Sequence, residues 1–299
     1  MANSSPIQLT SHGETWMGSF TAMACPCEVL IETNDNNIAW KTTETVWQEA
    51  KRIEHKFSRY RSGNIIDLIN HAYGKPVEVD PETAKLLDFA TQCYQLSEGK
   101  FDITSGVLRK LWKFDGSDKI PDQVQIDAVM PLIGWDKATW NSPYLTLLSG
   151  MEIDLGGIGK EYAVDQASQL ASKLSDASVL INFGGDIYVN KPRLNNKPWL
   201  IGVDNPHNTG HNAAGKIKLL QGGLTTSGDA RRFLLKEGVR YSHILNPQTG
   251  WPVPDAPRSV TVIANTCLEA GMLSTFAMLH GKNAEEFLAE QHVKYWCIR

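Results

Sequence analysis

The sequence lacks the features that mark a membrane protein or a disulfide-rich one. No apolar run in its 299 residues approaches the roughly 18–20 residues of a bilayer-spanning helix, so no transmembrane segment is expected. The N-terminal stretch has no basic region followed by an apolar one, so it does not resemble a signal peptide, and we expect a cytoplasmic protein. Five cysteines, an odd number in a long chain, suggest no disulfide framework and favour a reducing compartment.

Long blocks of one charge sign are also missing. The net charge is -4, and both signs are interspersed through the chain, so neither nucleic acid nor an anionic membrane is an expected partner. Apolar residues make up 42% of the chain, an ordinary fraction for a globular protein. The length suits one large domain or two small ones, with ample material for a buried core.

The spacing of Cys25 and Cys27 argues against a metal site. One residue separates them in a strand-like segment, whereas paired metal ligands usually have two to four residues between them. We therefore interpret both as small buried residues rather than as a metal or redox pair.

The apolar periodicity that is present predicts an α+β fold. Residues 16–33 alternate as two strands with a break at 23–26, and residues at helical spacing predict one helix ending near Phe57 and another beginning at Pro81. The later strands come in groups rather than being separated one by one by helices, which favours antiparallel sheets. Residues 1–15 are polar and are expected to be flexible.

A glycine-rich turn is the first candidate binding feature. Residues 151–155 read as a short strand, and residues 156–159 (Gly-Gly-Ile-Gly) lead from it into an amphipathic helix. Exposed backbone N–H groups and the positive end of a helix dipole suit a phosphate. The turn matches neither a P-loop nor the GxGxxG pattern, so a purely structural strand-to-helix turn remains the alternative.

The stretch 225–258 carries the second set of candidates. Ser227-Gly228-Asp229 can form a tight turn that presents a hydroxyl and backbone donors, and Arg231 and Arg232 follow as possible clamps for a phosphate. A structural turn with two solvated arginines is the alternative. His243 stands at the end of a strand-like segment beside a Pro-Gln-Thr-Gly turn, where either a structural or a catalytic histidine fits.

Thr275 is a third candidate, since it is one of the few polar residues in the apolar helix 267–280. A threonine in such a helix usually bonds back to the preceding turn.

Several blocks together resemble one family, the ApbE-type FAD:protein FMN transferases. They occur in order over nearly the whole chain, at residues 20–23, 57–61, 99–106 with 111–112, 153–165, 181–189, 225–233, 241–253 and 259–279. The resemblance implies an α+β, T-fold-like arrangement of antiparallel sheets with packed helices. It also implies that residues 16–299 form a single domain, possibly of two lobes with the FAD site between them.

The same resemblance implies an activity: Mg²⁺-dependent transfer of FMN from FAD to a Ser or Thr hydroxyl of an acceptor flavoprotein, with release of AMP. His243 would act as the general base, and the carbonyl of Gly157 and the hydroxyl of Thr275 would bind the metal. The residues implied to bind FAD are Met23, Tyr60, Phe101, Asp102, Asp154, Lys160, Ser227, Asp229 and Ile244.

Three residues depart from the family pattern. Gly271 stands where an Asp usually lies four residues before Thr275, and Asn246 stands where an Asp usually follows the histidine block. Glu161 stands where a Gly is more usual. We hypothesise that Glu161 restores the lost carboxylate from the opposite side of the metal. Two alternative functions stay open: a non-catalytic FAD-binding protein, and an FAD pyrophosphatase that yields FMN and AMP.

Overall fold

The computed structural model describes residues 6–115, 117–204, 213–229 and 232–299. The strands are β1 (Gln8–His12), β2 (Thr15–Ala22), β3 (Cys25–Glu32), β4 (Val77–Glu78), β5 (Thr139–Asn141), β6 (Tyr144–Thr146), β7 (Ser178–Phe183), β8 (Asp186–Val189), β9 (Trp199–Asp204), β10 (Ala213–Leu219), β11 (Gly222–Gly228), β12 (Phe233–Lys236), β13 (Val239–Ser242), β14 (Ser259–Ala264) and β15 (Lys294–Ile298). The α-helices are α1 (Asn36–Phe57), α2 (Ile65–Asn70), α3 (Pro81–Leu96), α4 (Gln123–Val129), α5 (Gly159–Leu174), α6 (Cys267–Leu279) and α7 (Ala284–Glu290). Short 3₁₀-helices occupy Ile103–Lys110, Met130–Leu132, Trp135–Lys137, Leu194–Asn196 and Gly281–Asn283.

One antiparallel sheet of eight strands organises the described chain, in the order β1-β2-β3-β7-β8-β11-β14-β15. Its centre joins distant parts of the sequence, because β3 pairs with β7 and places Cys27 opposite Phe183. Two hairpins, β9–β10 and β12–β13, and a small sheet of β4, β6 and β5 accompany it. Antiparallel sheets with packed helices are the α+β class predicted from the sequence.

The two faces of the central sheet are covered differently, which explains the apolar run of residues 179–181 in β7. Ile181 points into the core beneath α1 and α5. Its neighbour Leu180 packs instead with Trp199 and Ile217 of the β9–β10 hairpin. Since successive side chains of a strand point to opposite faces, a strand covered on both sides needs apolar residues throughout.

Close packing of α1 on β2 depends on a glycine. A Cβ added to Gly18 would lie 2.2 Å from Cγ2 of Thr43 on α1. Thr43 is fully buried, and its hydroxyl donates to the carbonyl of Ala39 at 2.8 Å. Any larger residue at position 18 would therefore push this helix away from the sheet.

A side chain of α5 fixes the start of α6. Asp165 accepts hydrogen bonds from the backbone N–H groups of Cys267 at 2.8 Å and Leu268 at 2.9 Å. Thr266 caps the same helix by accepting from the N–H of Glu269 at 3.0 Å. Capping by two side chains sets the position of α6, and hence of Thr275, relative to the glycine-rich turn.

The structure corrects three expectations for local structure. Residues 8–12 are not flexible but form β1 and pair with β2. Residues 151–155 form no strand, because their backbone bonds to the ends of two helices: Asp154 N donates to the carbonyl of Ile103 at 2.8 Å, and Ile153 N to Oδ1 of Asn70 at 2.7 Å. Ser227 and Gly228 end β11 rather than forming a tight turn.

Within the described part of the chain, no helix combines sufficient length with sufficient apolar character to cross a membrane.

An ion-pair cluster that joins three helices gives a pH-dependent prediction for stability. Glu82 of α3 accepts hydrogen bonds from Arg52 at 2.6 Å and Lys56 at 2.6 Å, both on α1, and from the Tyr162 hydroxyl of α5 at 2.9 Å. Arg52 first, and then Lys56 and Tyr162, lower the pKa of Glu82 to about 2 from an ordinary 4.5. Because the pKa is lower in the folded state, this stabilisation is present above pH 4.5 and is lost as the pH falls towards 2.

We expect Glu82→Gln to lower the free energy of unfolding by roughly 1–2 kcal/mol at pH 7, after allowance for solvent screening, and by much less near pH 2. Urea unfolding at both pH values measures this. Glu78→Gln is a matched control, because Glu78 is exposed on β4. An equal loss at both pH values for Glu82→Gln would contradict the expectation.

Candidate active site

A cleft of about 430 Å³ lies among the glycine-rich turn, the 3₁₀-helix Ile103–Lys110, α6 and the segment after β13. Its walls bring together residues that are far apart in the sequence. From the predicted set they include Tyr60, Phe101, Asp102, Asp154, Gly157, His243, Ile244 and Thr275. The cations Lys100, Arg109 and Arg232 line it as well. Aromatic rings beside cations suit an anionic ligand that carries a flat ring system.

His243 directly follows β13 and is held by one neighbouring carbonyl. Its backbone N–H donates to the carbonyl of Arg232 at 3.2 Å, and its Nδ1 lies 3.1 Å from the same oxygen. Because a carbonyl only accepts, Nδ1 carries the proton, and Nε2 keeps a free lone pair. Burial lowers the pKa of His243 below its usual value, so the ring is neutral at pH 7. A neutral imidazole with an unprotonated Nε2 can accept a proton.

Arginines neutralise Asp154 at the rim of the cleft. Its Oδ2 lies 3.2 Å from Nη1 of Arg109 and 3.5 Å from Nη1 of Arg59, and its Oδ1 accepts from the N–H of Gly156 at 2.9 Å. Arg109 also donates to the hydroxyl of Tyr60, which is mostly exposed. Asp154 thus fixes the backbone at the start of the glycine-rich turn and orients Arg109 towards the cleft.

The loop that carries Phe101 is shaped by the buried Asp102. This carboxylate accepts from the N–H and the hydroxyl of Thr104, each at 2.7 Å, and from the N–H of Trp135 at 3.0 Å. Burial raises its pKa despite these donors. Asp102 therefore positions this wall of the cleft with hydrogen bonds made within the protein.

Phe101 packs directly over the glycine-rich turn. A Cβ on Gly157 would lie 3.1 Å from Cε2 of Phe101, so glycine lets the ring approach the bare backbone. The ring also contacts Phe276 of α6, with centroids 6.0 Å apart. Phe101 thereby bridges the turn and the helix that carries Thr275.

A hydroxyl network links β11 to α6. Ser227 Oγ lies 3.2 Å from Thr275 Oγ1 and 2.8 Å from Ser274 Oγ. Ser274 is fully buried and donates back to the carbonyl of Gly271 at 3.1 Å, as expected for a hydroxyl in an apolar helix. Thr275 instead lines the cleft with Ser227 beside it. Ser227 therefore supports Thr275 from the end of its strand.

Lys160 and Glu161 lie at the start of α5, next to buried charge. Nζ of Lys160 lies 2.7 Å from Oδ2 of the buried Asp186. Burial opposes the charge of Lys160, but Asp186 outweighs it and raises the lysine pKa. Burial and the charge of Asp186 raise the pKa of Glu161 to about 8. The predicted FAD contact Lys160 is thus engaged with Asp186 within the protein.

The other residues predicted to bind FAD either lie outside the lining of the cleft or form hydrogen bonds within the protein. Met23 occupies the turn between β2 and β3, with φ of 52°, outside the lining of the cleft. Asp229 lines a neighbouring pocket and pairs with Arg240 through bonds of 3.0 and 3.1 Å, which ties it to the β12–β13 hairpin. The backbone of Ile244 bonds to Ser242 Oγ and to the N–H of Val253.

Arg231, which was a predicted phosphate contact, lies outside the described residues. Sequence reasoning missed Arg109 and Phe114 as lining residues. Their only signal was their position next to the blocks 99–106 and 111–112, Arg109 between the two and Phe114 just after the second.

Comparison with known proteins identifies the class to which this fold and cleft belong. The chain belongs to the ApbE family, since the model of that family matches residues 23–297. The FAD:protein FMN transferase of Haemophilus influenzae is 30% identical over 264 residues, which cover 84% of this chain and 76% of that protein. The predicted family is thereby confirmed, and the predicted enzyme class agrees with the name of this relative.

Solved structures show the same architecture. The crystal structure of the ApbE protein of Thermotoga maritima matches with a TM-score of 0.85 and 30% identity, covering 95% of this chain and 94% of that one. The flavinyl transferase ApbE of Pseudomonas stutzeri, in its apo form, matches with a TM-score of 0.82 and 24% identity, covering 97% and 93%. The second match supports the fold alone. Together they confirm the predicted α+β fold class.

Proposed function

We propose that this protein transfers FMN from FAD to a Ser or Thr hydroxyl of an acceptor flavoprotein and releases AMP, in a reaction that depends on Mg²⁺. The observation that carries the proposal is the position of His243 in a cleft lined by cations, with its Nδ1 3.1 Å from the carbonyl of Arg232 and its Nε2 left for a substrate proton. The name of the Haemophilus influenzae relative supports the same reaction.

The proposed reaction exchanges a phosphoanhydride bond for a phosphoester bond. The acceptor hydroxyl oxygen bonds to the phosphorus of the FMN half, and the pyrophosphate P–O bond to the AMP half breaks. AMP leaves with that bridging oxygen, and the hydroxyl proton passes to Nε2 of His243. Phosphoryl transfer depends mainly on positioning and charge neutralisation, which Arg109, Lys100 and Arg232 supply along the cleft.

The oxygen donors in the cleft fit Mg²⁺. Thr275 offers a hydroxyl and Gly157 a carbonyl to which, within the described residues, no amide or side chain donates a hydrogen bond. The same residues contain no group of three or more His, Cys, Asp and Glu side chains placed to hold a metal. A cation here would rely on few protein oxygens together with substrate phosphates, which is the usual pattern for Mg²⁺. When bound, it would neutralise phosphate charge.

One observation favours a second candidate, a protein that binds FAD without catalysis. Gly271 provides no carboxylate one helical turn before Thr275, so the metal would have one ligand fewer than the resemblance implies. The third candidate, FAD hydrolysis, uses the same residues with water in place of the acceptor hydroxyl.

One incubation separates the three candidates: the protein, FAD, MgCl₂ and an acceptor domain, followed by mass spectrometry and nucleotide chromatography. A gain of one FMN by the acceptor, with an equal amount of AMP, supports the proposed function. Free FMN and AMP with an unmodified acceptor indicate hydrolysis. Intact FAD that remains bound indicates a binding protein and would overturn the proposal.

We expect Arg109→Met to weaken FAD binding about tenfold at low salt, because a half-exposed guanidinium facing the cleft no longer meets the pyrophosphate. The difference from the unaltered protein should shrink as NaCl is raised. Titration calorimetry with FAD measures both effects. Lys113→Met is the matched control, since Lys113 is an exposed cation of the same segment outside the cleft lining. Equal losses for the two variants would argue against a direct contact with Arg109.

A further inference from the structure

We propose that Glu161 supplies a carboxylate oxygen to the divalent cation held by the Gly157 carbonyl and the Thr275 hydroxyl, and that the missing side chain of Gly271 makes room for it. This inference rests on the proposed function, which requires the cation. It assigns the site a ligand from α5 in place of one from α6.

The two helices bring Glu161 close to the segments that carry the proposed ligands. Gly271 lies four residues before Thr275, about one helical turn away on α6, and Glu161 lies in the first turn of α5, just after the glycine-rich turn that carries Gly157. Glu161 and Gly271 are in direct contact across the two helices. A Cβ on Gly271 would lie 2.7 Å from Cγ and 3.1 Å from Oε1 of Glu161. The Glu161 carboxyl group therefore occupies the space that a side chain at position 271 would fill.

One oxygen of this carboxyl group is buried without a partner. Oε2 of Glu161 is inaccessible to solvent and, among the described residues, makes no hydrogen bond. A buried polar atom without a partner is costly, and carboxylates removed from water are normally paired or bound to a metal. The missing partner is therefore a candidate ligand, and a divalent cation is a ligand that a carboxyl oxygen can coordinate.

The charges around Glu161 also favour a cation. Its charged neighbours are Asp186, Asp165 and Lys160. Lys160 is already paired with Asp186 at 2.7 Å, and Asp165 is engaged with the amides that begin α6. With Lys160 committed to Asp186, no described cation is paired with the carboxyl group of Glu161, whose ionised form would carry an uncompensated negative charge. A divalent cation would offset it.

The test measures cation binding directly, with Mn²⁺ as the probe in electron paramagnetic resonance titrations of the full chain with FAD and without acceptor. We expect Glu161→Gln, which keeps the shape but removes the charge, to weaken Mn²⁺ binding at least tenfold. Glu269→Gln is the matched control, because it also removes a carboxylate charge from α6, but one that accepts from the backbone N–H of Asn265 at 3.2 Å and lies outside the cleft lining. It should bind Mn²⁺ within about threefold of the unaltered protein.

A double variant that moves the carboxylate from position 161 to position 271 tests for rescue of Mn²⁺ binding. The double variant Glu161→Gly with Gly271→Asp should recover most of the Mn²⁺ affinity, since it returns a carboxylate to the same space from α6. Gly271→Asp alone should lower the melting temperature, because its Cβ meets Glu161 at 2.7 Å. Wild-type Mn²⁺ affinity in Glu161→Gln, or no Mn²⁺ binding by the unaltered protein, would overturn the inference. Mn²⁺ binding lost in Glu161→Gln, combined with no FMN transfer by the unaltered protein, would support the inference while refuting the proposed function.

Discussion

Replacement of His243 by Asn is expected to lower the rate of FMN transfer by roughly 10²–10⁴-fold, the usual contribution of a positioned general base. The Asn amide nitrogen can take the place of Nδ1 and keep the hydrogen bond to the carbonyl of Arg232, which is 3.1 Å away in the unaltered protein. No atom of Asn replaces Nε2, so the acceptor hydroxyl loses its proton acceptor. Single-turnover transfer at saturating FAD and acceptor measures the change.

The pH profile provides the control for this interpretation. Burial, the largest influence, lowers the pKa of His243 below its usual 6.5. The neutral, active form therefore predominates above that lowered value, and transfer should rise with pH and level off below pH 6.5. The rising limb should be absent in His243→Asn, while FAD affinity stays close to that of the unaltered protein. An unchanged transfer rate in this variant would exclude His243 as the base.

Thr275→Val is expected to lower the transfer rate by roughly 10–100-fold, because it removes a hydroxyl from the cleft with almost no change in side-chain volume. The loss follows from the position of Thr275, which lines the cleft while its Oγ1 lies 3.2 Å from Ser227. Thr275→Ser keeps the hydroxyl and should retain most of the rate. Transfer at several MgCl₂ concentrations measures the effect, since a lost metal ligand raises the concentration required.

Ser274→Ala separates this function from stability. Ser274 belongs to the same hydroxyl network, but it is fully buried and faces away from the cleft lining. Its loss should cost about 1 kcal/mol of unfolding free energy, typical of a buried hydrogen bond, with little change in transfer. If both variants reduced transfer equally, the network and not the Thr275 hydroxyl would be responsible.

Local patterns were sufficient for most secondary structure. The helix over residues 159–174 and the strand at 178–183 follow from periodicity and from the glycines at the start of the helix. Residues 151–155 could not be predicted in the same way. Their apolar alternation is that of a strand, yet Ile153 bonds to the side chain of Asn70 instead of a neighbouring strand. Such a partner, 83 residues away, leaves no periodic signal in the sequence.

The candidate site likewise has features that the sequence predicts and features that depend on tertiary contacts. His243 and the glycine-rich turn could be recognised from their residue types and sequence neighbours, and the ordered blocks indicated the family. The engagement of Asp154 with Arg59 and Arg109, and of Asp229 with Arg240, was not visible. Ion pairs of this kind depend on where folded segments meet, so a carboxylate predicted to bind FAD can instead position a cation.

By itself, the sequence determined the α+β class, the family and the absence of the Asp carboxylate at Gly271. Only the tertiary structure decided which side chain occupies the space beside Gly271. Glu161 and Gly271 are more than a hundred residues apart, and they meet because α5 and α6 pack together and Asp165 fixes the start of α6. Local propensity acts over a few residues, whereas the position of a carboxylate relative to a helix on another segment follows only from packing of the whole core.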